Sequence, residues 1–509
     1  MKNRKSHLDH IEYKLEELEY AIDAELFDNL DDNELVIKEI FSNCTDLVIR
    51  KFQAFDSIPC MAVFLEVLID AKAWDDGLLE SLMKQEPVVI DYPAQLFDVF
   101  TYNLSSVVQP EKLEGLNEIA QSIVMGNVVI FIESYNQAIS FKIKDNLHRQ
   151  LEEPSTEAVI RGPRLGFIEK LEINMSLIRH QIRTPLLKME RMSIGRISQT
   201  DVTVTYIKNM APQNVIDEIK KRLSAIDMDS VLESGYIEEM ISDHTYSPFP
   251  TMQPTQRPDL VAASLVEGKV AILVDGTPIA LIAPVTFWYG FQTVEDYYMN
   301  FIFATMLRWL RYLFAFLAWA MPSLYVAVTT FHQEMIPTSL ALSLAAAREV
   351  VPFPGMVETL IMEITFEALR EAGVRLPRPV GQTISIVGAL VIGQAAVQAG
   401  IISAPIIIVV SLTGIASFLI PHPGMSQAIS ILRFPMVIAA GMFGLYGVGA
   451  AMIATLIHVN NLSSFGVPYL KPLAPFEKSG IVDVLVRAPW KVMRKRQQYI
   501  QQKLELEKK

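Results

Sequence analysis

Cysteine is scarce in this chain, with Cys44 and Cys60 the two in 509 residues. They share no CxxC or Cys/His spacing, so neither a disulfide framework nor a zinc site is indicated, and both read as core thiols. The first 298 residues carry an excess of acid, with a net charge of about −20, which argues against nucleic acid as a partner. The opening, MKNRKSHLDHIEYKLEEL, lacks the apolar stretch of a secretory signal, so the first domain is expected to stay in the cytoplasm. Catalytic signatures are missing too: there is no P-loop, no HExxH and no GxSxG. His332, His422 and His458 lie far apart in sequence, where structural or interfacial roles are the default. No enzyme, metal or cofactor is expected.

Long apolar runs are what the second half has. Twenty residues from Tyr312 to Phe331 (YLFAFLAWAMPSLYVAVTTF) carry no charge, and uncharged blocks follow at Val380 to Leu432 and Phe434 to Asn460. About twenty apolar residues let a helix cross a bilayer. The expected spans are Tyr312 to Phe331, Gly381 to Ala399, Ile401 to Ile420 and Phe434 to His458. Arg308 and Arg311 before the first span, and the basic tail KVMRKRQQYIQQKLELEKK, read as cytoplasmic flanks, which puts both termini in the cytoplasm. The fold class is therefore α+β: two small α/β lobes followed by an all-α polytopic membrane domain. The expected boundaries are 1–150 for the first lobe with an N-terminal helix, 151–298 for a linker and second lobe, 299–470 for the membrane domain and 471–509 for the tail.

The two lobes read as copies of one unit. Thr45-Asp46-Leu-Val-Ile and Thr200-Asp201-Val-Thr-Val each open a period-2 apolar run, and Gly126-Asn-Val-Val-Ile-Phe-Ile-Glu resembles Gly268-Lys-Val-Ala-Ile-Leu-Val-Asp. A cleft between lobes would be a plausible ligand or partner site. The linker concentrates Arg161, Arg164, Arg179 and Arg183 with Gly162 and Gly166. Arginines on a glycine turn can clamp a phosphate or carboxylate. They can equally pair with the acidic lobes or with a neighbouring copy, which makes these four the candidates for assembly of the soluble domain.

Several stretches carry a family resemblance: EAVIRGPRLGFIE, RPDLVAASLVEGKVAILVDGTP, the VEDYY before the first span, and above all VPFPGMVETLIMEITFEALREAGVRLPRPVGQTISIVGALVIGQAAVQAG. They resemble the A subunits of the GerA family of spore nutrient-germinant receptors, over about residues 155 to 475, with the first lobe more weakly matched. The resemblance implies a multi-pass subunit of the spore inner membrane. Its implied partners are a transporter-like B subunit that binds the nutrient and a lipoprotein C subunit. It also implies a homo-oligomeric ring around a path for monovalent cations, opened by nutrient. Two rivals stay open: a sporulation-operon paralogue that amplifies germination ion release, and a secondary transporter, although transporters tend to carry a matching helix break in a second membrane repeat.

The residues of the membrane half fit a channel. The segment from Pro354 to Ala372 is too charged to span alone, yet Pro352, Pro354 and Gly355 open it and Gly373 and Pro377 close it. It is amphipathic, and such a helix lies at the interface or is re-entrant where it lines water. Copies of it around an axis would make a cation-favouring path, with Glu358, Glu363 and Glu367 as the carboxylates and Ile361 and Ile364 as a dewetting constriction. Ser385, Ala389 and Gly393, followed by Ala396 and Gly400, form a small-residue face for close helix packing.

Overall fold

The computed structural model describes residues 26–55, 58–83, 97, 110–143, 154, 157, 159–375 and 393–489. The chain divides into two compact units. The first holds both lobes, through residues 242 and again over 252–284; the second holds 243–251 and everything from 285 to 494.

In the first lobe a helix, α1 (Leu30–Ile40), precedes strands β1 (Leu47–Ala54) and β2 (Ile58–Leu65). Then come β3 (Pro110–Leu113), helix α2 (Leu116–Val124), β4 (Val128–Ile132) and β5 (Ala138–Phe141). They form an antiparallel sheet in the order β1-β2-β4-β5-β3. The second lobe repeats it with helix α3 (Leu171–Gln181), strands β6 (Leu187–Ile194) and β7 (Thr200–Ile207), and helices α4 (Gln213–Ser224) and α5 (Ser234–Ile241). Strand β8 (Gln253–Thr255), helix α6 (Pro258–Val266), β9 (Val270–Val274) and β10 (Ala280–Ala283) complete it, in the equivalent order β6-β7-β9-β10-β8.

The matching glycines explain why both copies turn at the same point. Gly126 and Gly268 follow α2 and α6 at φ 82° and 87°, the left-handed conformation that ends a helix and favours glycine. A Cβ at Gly268 would stand 2.6 Å from the Met210 carbonyl oxygen, so the space is closed as well. Strands β4 and β9 are buried throughout because both sheet faces are covered. Met61, Val63, Val129 and Phe131 face one core, and Ala62, Phe64, Val128 and Ile130 the other. The first of these cores runs on into the second lobe through Ile178, Leu187, Ile207 and Leu273, so the lobes share apolar interior. Backbone pairing joins them too: Thr45 N–H donates to Met189 O at 3.0 Å and Met189 N–H to Asn43 O at 3.2 Å.

The second unit is helical. Helix α7 (Phe301–Phe331) is followed by α8 (Thr338–Arg348), α9 (Gly355–Arg375), α10 (Ala404–Phe418), α11 (Pro423–Phe443) and α12 (Leu445–Asn461). A two-residue-stranded hairpin, β11 (Ser463–Ser464) and β12 (Val467–Pro468), and helix α13 (Lys478–Leu485) complete the described part. Among the described residues α7 and α11 are long and apolar enough to cross a membrane, and α10 is apolar but shorter. The four expected spans are not reproduced as drawn. The second, 381–399, lies largely outside the described residues.

The expected single span from Phe434 to His458 is instead the turn of a helical hairpin. Gly444, at φ 61° and ψ −140°, separates α11 from α12. The outer ends come back together: the His422 imidazole lies 3.0 Å from Gln292 O, and the His458 ring stacks 6.1 Å from Phe249, itself 6.2 Å from Phe287. An apolar run without polar punctuation concealed this turn, because the one residue that makes it is a glycine among apolar neighbours.

Candidate functional site

Helix α9 starts just after Pro352 and Pro354 and packs against α7, α10 and α11. Two of its glutamates, Glu358 and Glu363, are turned into that bundle. The Glu358 carboxylate is wholly buried and accepts from the backbone N–H of Ser403, the residue that caps α10, so a side chain of one helix serves the N-terminus of another. Arg348, at the end of α8, brings its Nε to 3.9 Å from the same carboxylate.

One turn and a half further along, Glu363 is buried against Arg433 of α11, with Nη1 donating to Oε2 at 2.5 Å. Arg433 Nη2 also donates to Ser417 Oγ at 3.0 Å. Glu367 pairs with Arg370 on its own helix, and Arg370 reaches Ser430 Oγ at 3.4 Å. The polar path Glu367, Arg370, Ser430, Arg433, Glu363 therefore lies between α9 and α11. Charges at this depth persist only when paired or hydrogen-bonded.

The opposite face of α9 is apolar. Ile361 packs partly against Ile402, Ile406 and Val410, whereas Ile364 is 59% exposed, with Ala368 and Glu371 exposed beyond it. Of the five residues expected at a path, the structure gathers Glu358 and Glu363 inside the bundle, leaves Ile364 outside it, and sets Ile361 and Glu367 at the edges. Arg433, Arg348 and Ser403 were not foreseen. Arg433 had a signal: it is the lone charge between two uncharged blocks, and such a charge needs a buried counter-ion.

Of the packing candidates, Ser385 and Ala389 lie outside the described residues. Ala396 packs against the Ile402 cluster, and a Cβ on Gly393 would meet Ile407 at 3.8 Å, an ordinary contact. Gly400 sits at φ 64°, and a Cβ there would stand 3.3 Å from the Val350 carbonyl oxygen.

The linker arginines separate into distinct settings. Arg179 is buried in a bidentate pair with Asp46 and Arg183 donates to His180 O at 3.3 Å, while Arg161 and Arg164 are exposed. The linker carrying them is strapped to the second lobe. Arg257, almost fully buried, donates to Glu157 O at 3.2 Å, Pro163 O at 3.1 Å and Asp259 at 2.7 Å, and Phe167 N–H donates to Gln256 O at 2.8 Å. Burial lifts the Glu157 carboxyl above its ordinary range, with Thr255 and Arg257 opposing. Arg308 and Arg311, read from sequence as a flank, are held by Asp296, the second of them at 2.8 Å.

A duplicated antiparallel sheet domain followed by a helical unit with buried charge pairs and two helices long and apolar enough to cross a membrane points to the class of membrane proteins. Residues 35–499 match the family described as Bacillus/Clostridium GerA spore germination protein, and the chain belongs to that family. It is 46% identical over 455 residues to spore germination protein KA of Bacillus subtilis, covering 89% of this chain and 83% of that one. It is 45% identical over 482 residues to the uncharacterized membrane protein YfkQ of the same organism, covering 95% and 93%. The crystal structure of the N-terminal domain of the A subunit of the Bacillus megaterium spore germinant receptor GerK3 is 34% identical. It covers 52% of this chain and 99% of that one, with a TM-score of 0.42. Membership gives the chain a germinant-receptor role in spore germination, as a subunit of a receptor with several kinds of subunit.

Proposed function

We propose that this chain is the A subunit of a spore nutrient germinant receptor in the inner membrane, and that several copies surround a cation path lined by α9. The path opens when nutrient binds a transporter-like B subunit, with a lipoprotein C subunit completing the receptor. The observation that supports this reading is the division of α9: its glutamates Glu358 and Glu363 anchor the helix to its own bundle, and among the described residues the face bearing Ile364 is left exposed.

Copies presenting that face to one axis would put Ile364, flanked by Ile361, at an apolar constriction that closes by dewetting. Glu367 and Glu371 would then supply the negative field that favours cations over anions. Glu358 and Glu363 hold the wall in place.

The test is single-channel recording of the purified complex in planar bilayers under a potassium gradient. Cation-selective unitary steps are expected, with Glu367→Gln reducing selectivity and Ile364→Ala raising the basal open fraction. A verified oligomer that stays silent with partner subunits and nutrient would sink the channel reading. Saturable flux without unitary currents would replace it with transport.

A further inference from the structure

The helical unit receives the chain twice from the second lobe, once over 243–251 and again from residue 285 onward. Both arrivals are gripped by the hairpin that follows α12. Ser464, fully buried, donates its hydroxyl to Thr251 O at 2.7 Å and accepts the Val285 N–H at 3.1 Å. Tyr469, also fully buried, donates its phenol to Pro250 O at 2.8 Å, and its carbonyl accepts the Phe287 N–H at 2.8 Å. Its own N–H donates to Leu462 O at 3.0 Å, which ties the grip back to the last residue capping α12. Phe249 fills the space between, with its ring 6.2 Å from Phe287 and 6.4 Å from Tyr469.

Two features mark this as built for holding. The turn residues Phe465 and Gly466 both have positive φ, 47° and 80°, the geometry of a tight two-residue hairpin loop that phenylalanine adopts only when its burial offsets the strain. The strands joined to the two gripped segments are themselves neighbours: β8 begins two residues after Thr251, β10 ends two residues before Val285, and Gln253 pairs with Ile282. One hydroxyl therefore closes a loop whose other side is the β8–β10 ladder. Backbone donors and acceptors buried in this way are costly to leave unmade, about 1–3 kcal/mol each.

We propose that the Ser463–Pro468 hairpin is a coupling clip, with Ser464 its positioning residue, that makes the start of β8, the end of β10 and the C-terminal end of α12 move together. A displacement of the β8–β10 pair is then passed to α12 through two parallel backbone connections. The inference concerns how motion is carried and holds whatever α9 conducts, so its tests record no current.

Full-length protein in lipid nanodiscs, in a Cys44→Ser background with Cys60 buried, is labelled with nitroxides at Tyr246→Cys and Leu456→Cys, both exposed positions on either side of the clip. The parent should give one narrow distance distribution. Ser464→Ala should broaden it about twofold or more, and Ser464→Thr, which keeps the hydroxyl, should restore it. An unchanged width with Ser464→Ala overturns the proposal.

Hydrogen exchange supplies the second arm. Leu281→Ala loosens β10, and exchange over Val459–Leu462 should rise about fivefold over the parent when Ser464 is present, and should not rise above the Ser464→Ala rate when the two substitutions are combined. An equal rise in both backgrounds, or none in either, overturns it. If Leu281→Ala prevents folding, the distance measurement decides alone.

Discussion

Asp46 and Arg179 meet in a two-pronged pair at the seam of the two lobes: Arg179 Nη2 donates to Oδ1 at 2.8 Å and Nε to Oδ2 at 2.9 Å, with each side chain 1% exposed. Arg179 Nη1 also donates to Leu187 O at 2.9 Å, so the guanidinium binds the start of the first sheet to the start of the second. A buried pair is weak evidence for net stability, but breaking one partner is costly because the other charge stays buried. Arg179→Met should destabilise the soluble region by about 3–5 kcal/mol, and Asp46→Leu combined with Arg179→Met should recover much of that loss. Arg179→Lys should behave like the single break, because a point charge cannot make the fork. The check is the urea midpoint of protease resistance in the detergent-solubilised full chain.

Lys188 sits nearby, 1% exposed, its Nζ donating to Ile40 O at 3.0 Å. Burial pushes its ammonium down from the ordinary 10.5 to about 8, with Cys44 opposing that shift and Lys208 and Arg179 adding to it. Between about pH 8 and 10.5 the unfolded chain therefore holds a proton that the folded chain has released, and stability rises with pH across that window. Below about pH 8 both states are protonated and the penalty is complete. The expected gain across the window is about 3 kcal/mol, and Lys188→Met should flatten it. Parallel urea titrations at pH 7.5 and 10, with and without the substitution, would measure the difference; identical slopes in the two proteins would count against it.

The duplication was legible because strands alternate: Gly126 and Gly268 stand at equivalent places in two sheets of one strand order, whereas the Thr-Asp pairs do not match, since Thr45-Asp46 precede β1 and Thr200-Asp201 open β7, the counterpart of β2. The helical unit was harder to read. Hydropathy reports how apolar a stretch is and says little about where it turns, so Gly444 stayed hidden inside what reads as one span. The rotation of α9 was invisible for a related reason. Its glutamates look like a water-facing stripe until Arg433 and the Ser403 N–H, 70 and 45 positions away, occupy them. Pairing across such distances is a property of the packed bundle. No local pattern encodes it.

That pairing makes Glu363 a structural test of the membrane unit. Glu363→Gln or Arg433→Gln alone should lower the melting temperature and the yield in the membrane fraction, as expected of about 3–5 kcal/mol lost, and the double substitution should restore both. The sequence on its own leads to a different expectation, in which Glu363→Gln assembles normally and changes only cation selectivity. A normal melting temperature with a shifted reversal potential would return Glu363 to the ion path.

Arg161 and Arg164 lead to a prediction about assembly. The linker is pinned at Glu157 by Thr255 and Arg257 and at Phe167 by Gln256, so the stretch between, with Ile160 89% exposed, is presented on a fixed base. Ordering costs are then already met before a second copy arrives, and a preorganised basic loop facing an acidic region is a favourable meeting of charge. Reversing both charges with Arg161→Glu and Arg164→Glu should lower the mass of the solubilised oligomer by at least one copy at low salt. Raising the salt should weaken the parent assembly in the same direction, since exposed charges are screened over about 8–10 Å at physiological ionic strength. An oligomer of unchanged mass under both treatments would move the contact between copies away from this loop and onto the membrane helices.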